Sequence, residues 1–128
     1  MSEKVFKISK DVELARCIDK DRLLKTHGEI CDFLKELRKI KGNDYGSVFE
    51  DTFSDYGLLA PIVRFRDKMG RIESLMVKKQ MVMDESIKDT ILDLANYCIL
   101  TAAVINCIEE YKLNQEVKMD EENILNEK

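Results

Sequence analysis

Asp93 is the only charged residue between Thr90 and Ile108. It stands where a polar stretch of sequence gives way to an apolar one. A carboxylate at such a boundary must be paired or must hold a metal, because an uncompensated buried charge is strongly destabilising. On helical geometry Glu85, Asp89, Asp93, Asn96 and Tyr97 fall within about 120° of one another, with Ile87, Ile91, Leu94, Ala95, Cys98 and Ala102 on the far side. An earlier segment supplies the complement. Arg64, Asp67, Lys68 and Arg71 lie within about 100° of one face, opposite an apolar stripe. If the two segments pack as antiparallel helices, a mostly cationic stripe approaches an acidic one.

Three uses of that pairing are open. The first is an interhelical salt-bridge ladder that fixes register and does nothing else, since charge networks are common between bundle helices. The second is a polar cleft in which Arg64, Lys68 and Arg71 hold phosphates and the carboxylates hold Mg²⁺ or ribose hydroxyls. Tyr45, Phe49, Phe53 or Tyr56 then stacks on a base, or that aromatic set simply packs as a lid over the bundle end. The third is Mg²⁺-assisted hydrolysis of a held phosphate group. Glu85, Asp89 and Asp93 bind the metal, one acid activates water, and the cationic stripe stabilises the charged transition state. Asp67 offers a fourth carboxylate, but Lys68 and Arg71 neutralise acids that a metal needs. The constellation suits holding an anion better than attacking one.

The elements that must position these residues read as helices. Leu23, Leu24, Ile30, Phe33, Leu34, Leu37 and Ile40 recur at three- and four-residue spacing, predicting an amphipathic helix from Asp21 to Lys41 with a charged opposite face. Gly42-Asn43 reads as its stop and Asp44-Tyr45-Gly46-Ser47 as a turn. A short helical segment, Val48–Tyr56, follows and breaks at Gly57. A second long helix starts near Leu59, with Pro61 tolerated in its first turn, and runs to Val77. It buries Leu58, Ile62, Phe65, Met69, Ile72 and Met76. After a linker, Lys78–Met83, Asp84 or Ser86 caps a third long helix reaching Lys112. The predicted fold is all-α: a bundle of three long helices and a short one, completed by oligomerisation. Residues 1–20 form a lead-in, open between strand and helix. Residues 21–112 form the helical domain that carries the candidate site, and 113–128 an acidic, frayed tail.

Composition narrows the rest. With 128 residues, the chain fits one domain with no need of a metal or disulfide staple. A single histidine, His27, on a charged helix face leaves no His-rich zinc site and a poor start for a Ser-His-Asp triad. The four cysteines, 17, 31, 98 and 107, form no CxxC pair and read as reduced cytosolic thiols acting as small core residues. The charged N-terminal stretch has no signal-peptide h-region. The apolar run Leu94–Ile108 falls short of the about 20 residues of a spanning helix. The expectation is a soluble, cytoplasmic protein without membrane partners. Net charge is −4, with little of it on the body, so duplex nucleic acid is not an expected partner. The apolar surface of Leu100–Ile108 exceeds what a three-helix bundle covers, which points to a homo-oligomer.

The run KGNDYGSVFEDTFSDYGLLAPIVRFRDKMGRIESL, followed by DESIKDTILDLANYCIL, resembles the nucleotide modification associated domain 1 family of phages and bacteria. The resemblance covers Glu29 to Asn106. Its landmarks are Asp44-Tyr45-Gly46, the Arg64…Lys68…Arg71 set, and Asp89-x-x-x-Asp93-x-x-Asn96-Tyr97. More distantly, the layout is similar to MazG-like all-α nucleoside triphosphate pyrophosphatases, which gather Mg²⁺ with E-x-x-E and E-x-x-D pairs. Here Asp67-Lys68 and Arg71 stand where those enzymes carry paired glutamates. What the resemblance implies is a nucleotide ligand. Arg64, Lys68 and Arg71 would take phosphates, Asp93 and Asn96 ribose or base edges, and Tyr45 or Tyr97 would stack. A small phage-type protein of this kind would sequester a nucleotide, for example a signalling nucleotide of host defence, or serve modified-nucleotide metabolism. No cofactor is required by this reading; Mg²⁺ enters only with the hydrolase.

Overall fold

The computed structural model describes residues 10–45, 48–78 and 85–127. Among them are five helices and no strand: α1, Lys10–Ala15; α2, Lys20–Tyr45; α3, Val48–Tyr56; α4, Leu59–Lys78; and α5, Glu85–Asn126. The protein is all-α. The expected linker after Lys78, the Asp84 cap and the Gly46-Ser47 part of the expected turn lie outside the described residues.

Local chemistry sets most helix ends. Asp19 precedes α2 and its Oδ2 accepts the Arg22 backbone N–H at 3.1 Å, satisfying one of the amides the first turn leaves free. α2 passes through Gly42-Asn43, where a stop was expected, and ends at Tyr45. Neither residue is a strong barrier inside a helix, about 1 kcal/mol for Gly against Ala. Gly57 closes α3 with φ +63°, a left-handed cap that glycine adopts without strain, and its N–H donates to the Phe53 carbonyl at 2.7 Å. Pro61 sits in the first turn of α4, where its missing N–H costs nothing.

The largest departure is in α5. The helix expected to stop at Lys112 continues to Asn126. The stretch after Lys112 holds no Gly or Pro, is rich in good helix formers, and spaces Lys112 and Glu116, then Lys118 and Glu122, one turn apart.

α4 and α5 form the main packed pair, an antiparallel hairpin in which Lys68 meets Asp93 while Pro61 and Leu100 reach the same cleft from opposite chain directions. α3 packs on α4, and α2 touches α5 only sparsely. Few side chains are buried: Leu34 of α2, Pro61 of α4, and Ile87, Thr90 and Thr101 of α5. The two threonine hydroxyls donate to the Ser86 and Tyr97 carbonyls at 2.8 and 2.7 Å, so their burial leaves no open donor. α5 is also the one described helix long and apolar enough to cross a membrane, although the 15-residue apolar run had suggested too short a stretch. Little of that window is buried within the chain.

Candidate functional site

Four helices meet around a cavity of about 300 Å³. That is the low end of the range for small-molecule sites. α5 contributes Asp93, Asn96, Tyr97 and Leu100 from successive turns of its packed half. α4 contributes Ala60, Pro61, Arg64 and Lys68, and the four-residue step between Arg64 and Lys68 aims both cations the same way. α3 brings Phe49 and Thr52. α2 brings Arg38 and Lys41, one and two turns beyond the buried Leu34 on the face that packs inward.

Aromatic rings form one side. Phe49 lies 6.4 Å from Tyr97 between ring centroids, tilted by 31°, and 6.4 Å from Phe53. These separations fall within the range of interacting aromatic pairs.

Charge dominates the rest. Among the described residues four cations, Arg38, Lys41, Arg64 and Lys68, line the cavity against one carboxylate, Asp93. Lys68 Nζ donates to Asp93 Oδ2 at 3.3 Å, with both side chains partly open to solvent. Arg38 donates to Glu50 Oε1 of α3, tying α2 to the site. Glu50 Oε2 is shielded from solvent and has no hydrogen-bond partner among the described residues. Among the described residues Arg64 and Lys41 have no ion-pair partner. Among the described residues, positive charge in the cleft therefore exceeds negative charge, a balance that suits an anion.

Six of the residues singled out by sequence come together here: Arg64, Lys68, Asp93, Asn96, Tyr97 and, from the aromatic set, Phe49. Arg71 does not line the cleft. It is exposed in a shallow groove with Val63, Arg66, Asp67 and Gly70, having nearly the angle of Arg64 but standing about 10.5 Å further along the helix. Glu85 and Asp89 are exposed and also outside the cleft, so Asp93 alone of the three candidate metal ligands faces it. Among the described residues no group of three or more His, Cys, Asp or Glu side chains converges to hold a metal. The Tyr45 side chain lies outside the described residues. Between α4 and α5 the expected ladder has a single rung, Lys68–Asp93, among those residues.

Arg38 and Lys41 were not anticipated, although their spacing from Leu34 could have shown them. By sequence α2 showed only a charged face opposite its apolar stripe, and neither was named as a site residue. The cysteines are a second correction: all four are exposed rather than core residues, with Cys31 Sγ 3.9 Å from His27 Nδ1.

The family model for nucleotide modification associated domain 1 matches residues 41–106. That span takes in every residue lining the cleft except Arg38. No curated protein and no solved structure matches the chain.

Proposed function

The chain belongs to the nucleotide modification associated domain 1 family, and from that premise we propose that it binds a phosphate-bearing nucleotide in the α2–α5 cleft and holds it without hydrolysing it. The observation that carries this reading is a cavity lined by four cations and one carboxylate beside the Phe49–Tyr97 ring pair. Arg64 and Lys41 take phosphate oxygens directly. Lys68 and Arg38 exchange part of their carboxylate contacts for the ligand. The base lies against Tyr97 or Phe49, and Asp93 and Asn96 accept from and donate to ribose or base edges.

The same cleft disfavours metal-assisted hydrolysis. A catalytic Mg²⁺ is held by carboxylates together with substrate phosphates. Here the single lining carboxylate is engaged by Lys68, and Glu85 and Asp89 lie elsewhere. A binder that leaves its ligand intact acts by withdrawing it from solution. Sequestration of a cytoplasmic signalling nucleotide, such as one used in host defence against phage, is the use that fits.

The test is incubation of the protein with a broad nucleotide panel, including cyclic and ADP-ribose-type species, with and without Mg²⁺. The protein is then separated and heat-denatured, and the released and free species are identified by mass. Intact nucleotide recovered from the protein without Mg²⁺ is the expected result. Monophosphate and pyrophosphate appearing only with Mg²⁺ would overturn the reading in favour of the pyrophosphohydrolase.

A further inference from the structure

α5 outruns the rest of the protomer. Because α4 begins at Leu59 and Pro61 stands opposite Leu100, α4 has no residues left to pair with α5 beyond that level. The remaining stretch, 103–126, extends about 36 Å by helical rise. Past Thr101 only Val104 is even half-buried; the rest is exposed through Glu127. This stretch is not polar. Leu113, Val117 and Ile124 fall within about 40° of one another, in line with Ile99 of the braced half, and Ile105, Ile108 and Met119 form a second apolar line. A helix apolar on two sides and free of neighbours is a packing element without its partners.

The length of the stretch makes the same point. A stable homodimer buries roughly 1,000–2,500 Å² on each partner, an area that a helix face about 36 Å long, used reciprocally with a second helix, can approach.

Within the same chain α2 is the complementary surface. It too is loosely held, with Leu23, Leu24, Phe33 and Ile40 exposed. Its charges oppose those of the extension: seven Lys and Arg against five acids in α2, six acids against two lysines in residues 103–126. We propose that a second copy of this chain covers the α5 extension, its α2 lying along residues 103–126, with the exchange made reciprocally by two-fold symmetry. The inference is independent of the ligand, but it bears on the site. α2 carries Arg38 and Lys41, so the partner's extension would hold the cation wall of each cleft in place.

The experiment uses the full chain and its native thiols. Light scattering on the eluting protein is expected to give twice 14.9 kDa. On a mixture of isotope-labelled and unlabelled chains, a bis-maleimide reaching about two helix diameters is expected to join Cys31 of one copy to Cys107 of the other, identified by mass as mixed-isotope peptide pairs, since both cysteines are exposed on the two proposed helices. Leu113→Glu should return the mass to that of one chain, and a fall in helical content alongside would leave the wild-type mass and cross-link as the deciding readouts. A single-chain mass at micromolar concentration would overturn the proposal. So would a dimer whose cross-links never join the α2 and α5 thiols. Monomer that pellets with neutral lipid vesicles would assign the apolar extension to a membrane instead. None of these outcomes depends on whether a nucleotide binds.

Discussion

The two halves of α5 share one unbroken run of backbone hydrogen bonds yet differ in nearly everything else. Residues 85–101 hold Ile87, Thr90 and Thr101 in the small core and supply four side chains to the cleft. Residues 102–126 bury nothing and carry six of the helix's nine acids. The difference shows that helical continuity is not structural equivalence. An isolated helix of two dozen residues is of marginal stability in water, and most helical stability in proteins comes from packing an apolar face. Binding residues need fixed neighbours, so they belong to the half that α4 braces. The family match stops at residue 106, close to where that bracing ends.

The largest expected effect of breaking this comparison is on ligand binding. Arg64→Ala removes a cation with no carboxylate partner among the described residues. It should lower nucleotide affinity by about 2–3 kcal/mol, roughly 30- to 150-fold, measured by calorimetry. Lys118→Ala, on the unbraced half, should leave that affinity within about twofold. Equal losses at both positions would show that the anion site is not the cleft.

Stability gives the next contrast. Ile87 is 8% exposed, and Ile87→Ala should cost about 2–4 kcal/mol in denaturant unfolding. Ile124, 56% exposed in the protomer, should cost under about 0.5 kcal/mol when changed to Ala if nothing covers it. A loss for Ile124→Ala that grows with protein concentration would sharpen the comparison, because a residue covered only by a second copy contributes through assembly.

How much of this the sequence disclosed depends on what a helical wheel can carry. The helix class, the α3 bounds, the place of Pro61 and the start of α5 near Glu85 followed from periodicity, glycine and capping chemistry. The end of α5 did not, because the acids of Leu113–Asn126 read as a solvated tail, while its helix formers, without Gly or Pro, carry the helix on. Within the site, a wheel gives angle and not level along the axis. Arg64, Lys68, Asp93, Asn96 and Tyr97 had both right. Arg71, Glu85 and Asp89 had nearly the right angle but sit toward the hairpin's closed end, a position that only the pairing of Lys68 with Asp93 fixes. Arg38 and Lys41 escaped for the opposite reason. Their charge suggested solvent, while their step from Leu34 put them on the inward face.

The smallest effect tests whether α2 belongs with the braced half or the unbraced one. Lys39 pairs with Glu36 at 3.2 Å, both side chains more than half exposed, so Lys39→Ala should change stability by no more than a few tenths of a kcal/mol, about the value of an exposed helical ion pair. Its neighbour Arg38 is different in kind: it bonds Glu50, lines the cleft, and is the only lining residue outside the family match. Arg38→Ala should weaken nucleotide binding by about tenfold, less than Arg64→Ala because Arg38 is already shared with a carboxylate. Affinity measured on Lys39→Ala and Arg38→Ala side by side therefore separates a helix that merely passes the site from one that builds a wall of it. If the two variants bind alike, α2 is scaffold, and the cleft ends at Phe49 and Arg64.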